Sequence, residues 1–214
     1  MMMDYIKDPT AIYAKSFSTI RAEVDFNQYP LDVAMMVERM IHACGMVDLV
    51  DDVQYSNDVA QSATQAISNG APIITDCEMV RSGIIAAFLP ANNDVLCHLN
   101  DEAVPSLARR EKTTRSAAQV ALWQEHLEGA VIVIGNAPTA LFALLEALDQ
   151  GAAKPAAIIA CPVGFVGAAE SKAELAANPR DVPFMTVTGR RGGSAIASAA
   201  FNAVSKIARD QLAA

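Results

Sequence analysis

The sequence has no apolar run of membrane-spanning length that is free of helix breakers. Its most apolar long uncharged stretch, Gly129 to Leu145, is interrupted by Gly135, Asn136 and Pro138, where a spanning helix needs unbroken backbone pairing. Cysteine is scarce, four in 214 residues, and Cys44, Cys77, Cys97 and Cys161 show no CxxC spacing, which fits reduced core thiols better than a disulfide framework. Positive charge is short as well: 16 Lys and Arg stand against 24 Asp and Glu, a formal net charge of -8. General attraction to phosphate backbones or anionic lipid is therefore not expected, so neither nucleic acid nor membrane is an expected partner. Asp4, Lys7 and Asp8 precede any apolar stretch, leaving neither the charge order nor the apolar core of a secretory signal. The expected location is cytoplasmic.

What is present is a chain that is 52% hydrophobic and long enough to bury roughly 70% of its unfolded surface. Asp8 followed by Pro9 reads as an N-cap and first helical position, opening a helix to about Glu23 on which Ile12, Ser16 and Ile20 share a face. Ser16 thus interrupts an apolar row. A second helix, Leu31 to Cys44, closes at Gly45 and is apolar almost all round except for Glu38, Arg39 and His42, the pattern of a buried or interfacial helix.

From Val53 onward short strand-like runs alternate with helical stretches. The runs are Val53 to Tyr55, Pro72 to Thr75, Val95 to Leu99, Ala130 to Ile134, Ala156 to Ala160 and Phe184 to Val187. The helices lie near Asp58 to Ser68, Thr114 to Leu127, Thr139 to Leu148, Ser171 to Ala177 and Ser194 to Leu212. Val131-Ile132-Val133-Ile134 and Ile158-Ile159, without polar alternation, suit a sheet covered on both faces. The expected fold is α/β: a doubly wound, three-layer α/β/α arrangement with a mainly parallel sheet, flavodoxin-like. With no long linker and no fixed repeat, residues 1–214 read as one domain.

Ligand crevices in such sheets form outside the carboxyl ends of the strands. The turns after the last three strands read Gly135-Asn136-Ala137-Pro138-Thr139, then Cys161-Pro162-Val163-Gly164-Phe165-Val166-Gly167, then Thr188-Gly189-Arg190-Arg191-Gly192-Gly193-Ser194. Each sets glycine before a helix start, where backbone amides and the helix dipole favour an anion. Any one such turn is explained by chain geometry alone; three in one crevice point to a ligand with several acidic groups. GxGxxG and GxxxxGK[ST] are absent, so nucleotide binding has little support. Arg115 and Arg190 are candidate cations for carboxylates, a geometry the guanidinium matches.

Of the three histidines, His126 sits among Gln124, Glu125 and Glu128, and His98 follows Cys97 in a strand whose successive side chains diverge. His42 and Cys44 also diverge on their helix. No metal site is expected. His42 lies in the last turn of its helix, where the dipole favours the imidazolium, a form able to act as general acid. The alternative is a histidine that only solvates a helix end.

These segments resemble the precorrin-8X methylmutase family of cobalamin biosynthesis over nearly the whole chain. The resemblance is carried by Ile12-Tyr13 with Ser16-Phe17 and Ile20-Arg21-Ala22-Glu23, by His42-Ala43-Cys44-Gly45, and by Asp76 with Glu78-Met79-Val80 and Gly83. It continues through Thr114-Arg115-Ser116-Ala117-Ala118, Ile134-Gly135-Asn136-Ala137-Pro138-Thr139-Ala140-Leu141, the run Pro162 to Lys172, and Gly192-Gly193-Ser194. It implies an isomerase that moves a methyl group from carbon 11 to carbon 12 of the corrin ring, giving hydrogenobyrinate without a cofactor. His42 falls on the family's catalytic histidine, which protonates the macrocycle so that a sigmatropic shift restores conjugation. Ser16 and Arg115 would bind the tetrapyrrole substrate, and Gly135, Gly192 and Gly193 would let backbone donors reach its carboxylates, with Asn136 and Arg190 beside them. The resemblance also implies a homodimer with the site near the subunit boundary. Two alternatives remain: a cobalt-precorrin-8 methylmutase of the early-cobalt route, and a tetrapyrrole carrier that performs no chemistry.

Overall fold

A computed structural model gives the structure of residues 3–212. Helix α1 (Pro9–Glu23) begins where the Asp8 carboxylate accepts the Ala11 amide at 2.7 Å, with proline at the first position. Helix α2 (Leu31–Cys44) stops at Gly45, whose φ of 70° turns its amide back onto the Ile41 carbonyl at 2.8 Å, a left-handed end that suits glycine. A 3-10 turn over Val47–Asp52 leads into strand β1 (Val53–Tyr55). There follow α3 (Val59–Ser68), β2 (Ile73–Thr75), α4 (Glu78–Gly83), β3 (Val95–Leu96), α5 (Val104–Arg110), α6 (Arg115–Ala118) and α7 (Val120–Trp123). The chain ends with β4 (Val131–Ile134), α8 (Pro138–Asp149), β5 (Ala157–Ala160), α9 (Ala168–Ala177), β6 (Phe184–Val187) and α10 (Ser194–Leu212).

The strands form one sheet in the order β1-β6-β5-β4-β2-β3. β1 is antiparallel to β6, with Val53 opposite Val187, and every other pairing is parallel. Without β1 the parallel strands read second, first, third, fourth, fifth, the flavodoxin-like order, and the direction of winding reverses between β2 and β4. In sheets of this kind such a reversal is where ligands bind, at the carboxyl ends of the strands.

Alternate residues of the central strands feed two cores. Val131, Val133, Ile159 and Met185 pack with Val37, Met40, Ile67, Phe201 and Val204 from α2, α3 and α10. Ile132, Ile134, Ile158 and Phe184 pack on the other face with Trp123, Leu141, Leu144 and Leu175 from α7, α8 and α9. Burial on both faces is the reason the β4 run lacks polar alternation. The architecture is the expected α/β one, and no helix among the described residues is long and apolar enough to cross a membrane.

Two local expectations need correction. The helix read over Thr114 to Leu127 is broken into α6, α7 and a 3-10 turn, Gln124–His126. Gln119 stands at the first break, fully buried, with its side-chain amide donating to the Asp76 carbonyl at 2.7 Å, a tertiary bond that periodicity does not encode. The strand read to Leu99 ends at Leu96, because its only neighbour, β2, ends at Thr75, whose hydroxyl donates to the Leu96 carbonyl at 3.0 Å. α4 and α5 lie in segments to which the sequence reading gives no element; Glu78 opens the first and Pro105 stands in the first turn of the second.

Candidate active site

The last turn of α2 presents His42 at the surface, and α1 grips its ring. Ser16 Oγ lies 2.8 Å from Nδ1. Phe17 stacks on the imidazole with centroids 5.0 Å apart at 19°, and Tyr13 leans on it at 5.5 Å and 50°. Tyr13, Ser16 and Phe17 occupy positions i, i+3 and i+4, one face of a helix. That face lies one residue round from the expected row, and Ile12 is 47% exposed. With Nδ1 engaged, Nε2 has no protein partner among the described residues, so it is the nitrogen able to meet a ligand.

One turn earlier, the Arg39 guanidinium lies over the rings of Tyr13, Phe17 and Phe88 at 5.6, 5.9 and 5.6 Å. Glu38 beside it is buried and paired with Arg21 of α1 at 2.5 Å. The polar stripe of α2 is thus covered by α1, and a cavity of about 460 Å³ lined by Tyr13, Phe17, Met35 and Arg39 opens between them.

At the switch point Asp76, fully buried just past β2, accepts the amides of Gly135 at 2.9 Å, Asn136 at 2.9 Å and Ala137 at 2.7 Å. Burial pushes its carboxyl up, and the three amides pull it back only in part. This corrects the expectation for Gly135: its backbone donor holds an internal carboxylate. Gly135 serves close packing instead, since a Cβ there would stand 2.6 Å from Ser194 Cα and 2.7 Å from Val80 Cγ2. The Asn136 amide is taken by the same carboxylate, while its side chain stays exposed.

After β5, Phe165 and Val166 project into solvent, 83% and 89% exposed, and Arg190 lies over the Phe165 ring at 5.3 Å. After β6, the Gly193 amide donates to the Cys161 carbonyl at 2.8 Å, which corrects the expectation of a free donor there. Gly192, at a φ of 156°, has no acceptor for its amide among the described residues, and a Cβ would strike the carbonyls of Cys161 and Pro162. Arg191 pairs with Asp48 at 2.5 Å and Asp52 at 3.5 Å, holding the Asp48 carboxyl below its ordinary value. Arg190 makes no ion pair among the described residues. Arg115 opens α6 and donates to the Leu99 carbonyl at 2.8 Å and Asn100 Oδ1 at 3.1 Å, beyond β3. Cys77 meets Ser194 at 3.5 Å, joining the segment after β2 to the start of α10, and burial raises its thiol.

The candidates therefore run along the carboxyl edge: Arg190, Gly192 and Gly193 after β6, Asn136 after β4, Arg115 against the segment after β3. The turn between α2 and β1 reaches the same edge, where the Thr188 amide donates to the Asp52 carbonyl at 2.8 Å. Ser16 and His42 are brought into direct contact; Arg115 and His42 are not. His98 lies beyond its strand, bonded to Asp101 at 3.1 Å and stacked on His126 with centroids 6.3 Å apart.

The sequence reading missed Asp76 as an organising group, Tyr13 and Phe17 as the walls of the imidazole site, and Lys172. Lys172 carried a signal: Ala168, Ser171, Lys172 and Leu175, all buried, mark the inner stripe of α9 at helical spacing.

The precorrin-8X methylmutase family model matches residues 11–207. A precorrin-8X methylmutase of Pseudomonas aeruginosa is 55% identical over 95% of this chain and 98% of its own, and one of a Sinorhizobium species is 52% identical over 95% and 97%. A cobalt-precorrin-8 methylmutase of Priestia megaterium is 35% identical over 94% and 88%. Among solved structures, a precorrin-8x methyl mutase from Thermus thermophilus superposes with a TM-score of 0.85 at 35% identity, covering 94% of this chain and 97% of that one.

Proposed function

Because the chain belongs to the precorrin-8X methylmutase family and is an isomerase of cobalamin biosynthesis, we propose that His42 is its general acid. The substrate class is the metal-free tetrapyrrole acid, and the reaction moves the methyl group from carbon 11 to carbon 12 to give hydrogenobyrinate. His42 Nε2 delivers a proton to the macrocycle, the methyl migrates within the electron-poor ring, and a proton is then returned, since an isomerisation leaves composition unchanged. The observation that carries this reading is the fixed imidazole: Ser16 holds Nδ1 at 2.8 Å and Phe17 stacks on the ring.

A general acid supplies about 10²–10⁴-fold, so the remainder falls to positioning and electrostatics. Arg190, Arg115, the Asn136 side chain and the open Gly192 amide line the edge that would receive the substrate's carboxylates. Phe165 and Val166 offer apolar surface to its flat faces. Precursor mixed with purified protein should change its absorption spectrum to that of the product. A binding spectrum with no conversion would favour the carrier alternative.

The metal-free substrate is preferred because relatives named for it stand at 55% and 52% identity, against 35% for the cobalt enzyme of Priestia megaterium. Turnover on cobalt-loaded precursor well above that on metal-free precursor would reverse the choice. We read residues 1–214 as one domain on one sheet, placed in the cytoplasm on the strength of four free thiols. A homodimer joined near α1 and α2 is supported by exposed Ile12, Tyr13 and Leu31; sedimentation at the monomer mass would exclude it.

A further inference from the structure

Lys172 is fully buried, a placement lysine almost never takes without a partner. It stands on the inner stripe of α9, and its ammonium donates to the backbone carbonyl of Arg191, its one acceptor among the described residues. No carboxylate pairs with it: Asp52 lies within electrostatic reach but bonds Arg191 instead. The loop above it has little freedom. Arg191 is pinned outward on Asp48 and Asp52, Gly192 passes under the Cys161 and Pro162 carbonyls, and the Gly193 amide closes on Cys161. Lys172 is the side chain that donates to the backbone of this loop, beside the Gly164 amide, which donates to the Arg190 carbonyl at 3.3 Å.

We propose that Lys172 is a positioning residue for the substrate: its buried ammonium holds the Arg191 carbonyl inward, so that the Gly189 to Gly193 loop keeps the shape that accepts carboxylates. With the carbonyl so held, the amides of Gly189, Arg190 and Gly192 have no acceptors among the described residues. The same ammonium sets an unpaired positive charge beneath them, in a medium where charge is weakly screened. In a chain of net charge -8, that field favours a polyanion at this one place. Lys172 touches no reacting atom; it acts through the loop.

The ammonium is conditional. Burial pushes Lys172 down to about 8, opposed by the Cys161 thiol at the end of β5 and by Asp52 before β1. The Arg191 guanidinium is turned away onto Asp48 and Asp52, and on α9 itself Glu170 is exposed and Glu174 bonds Arg180. As pH rises above about 8, the loop loses both its charge and its strongest donor.

The inference rests on the reading that this loop meets the substrate, and the experiment separates the two. Affinity for hydrogenobyrinate is titrated by absorption at pH 7, 8 and 9, a range spanning the lysine's value of about 8, with circular dichroism melts alongside. The wild-type dissociation constant should rise about fivefold between the last two points, following the protonated fraction. Lys172→Met should bind weakly at every pH with no break, and Lys172→Arg should keep tight binding through the highest pH. Wild-type affinity in Lys172→Met, or a break surviving in Lys172→Arg, would overturn the proposal. If the methionine variant does not fold, the arginine variant against wild type decides. Arg190→Ala probes the loop's outer side. Unchanged affinity there sinks the loop reading itself, whereas weakened affinity there with a wild-type Lys172→Met sinks only the lysine's role.

Discussion

The Asp76 carboxylate and the Gly135 amide meet at 2.9 Å across the point where the sheet reverses its winding. The other carboxylate oxygen takes two further amides, so one aspartate sets the whole turn after β4. Asp76→Asn would keep an acceptor for two of these donors and aim its own N–H₂ at the third. We predict a loss of about 1–3 kcal/mol, the cost of one unsatisfied buried donor, with no change in denaturant slope. Urea unfolding checks this, and an unchanged midpoint would show that the turn holds without the carboxylate.

Ser16 bonds His42 Nδ1 at 2.8 Å, and under the proposed mechanism it orients the ring without taking part in proton delivery through Nε2. Ser16→Ala should lower kcat roughly three- to tenfold, the value of one hydrogen bond, and leave KM nearly unchanged. Steady-state assays separate the two; a rise in KM at constant kcat would mean that Ser16 binds substrate instead.

Stability should depend on alkaline pH through buried groups of opposite sign, Lys172 on one side and raised thiols, Cys161 foremost, on the other. Lys172 lies at about 8 in the native chain against an ordinary 10.5, and Cys161 at about 12 against 9.0. Between 8 and 10.5 the unfolded chain holds more lysine protons, so stability rises with pH; between 9 and 12 the native chain keeps the thiol proton, so stability falls. From pH 8 to 9 the lysine adds about 1 kcal/mol of unfolding free energy, while the buried thiols, already titrating in the unfolded chain, offset part of it. Urea titrations across that interval should therefore show a change in wild type more positive than that in Lys172→Met by about 1 kcal/mol. The same change in both would contradict the assignment.

Gly192 takes a φ of 156° under two carbonyl oxygens. Gly192→Ala must move the loop after β6 and should cost on the order of 1–3 kcal/mol of backbone strain, with weaker product binding. Melting curves and absorption titration check both; wild-type affinity in a folded variant would remove this loop from the binding surface.

Much of this is legible in the sequence. The apolar runs at β4 and β5 announce a covered sheet, and Gly45 and Asp8 mark helix ends, because each signal is local to a few residues. His42 was legible as the end of α2. What holds it was not, since the grip of Tyr13, Ser16 and Phe17 depends on how α1 crosses α2. The Gly135 turn was misread for a related reason: its amides do face a carboxylate, but one supplied by Asp76 from 59 residues earlier in the chain. The break at Gln119 has the same origin. Long-range pairings of this kind leave little trace in spacing.

The central claim is that the His42 imidazole, and not the pocket alone, moves the methyl group. Single-turnover absorption with His42→Ala tests it most directly, because binding and rearrangement give separate spectral changes. The account predicts the binding spectrum at wild-type affinity, within about threefold, followed by conversion slowed about 10²–10⁴-fold. Conversion at the wild-type rate would contradict it.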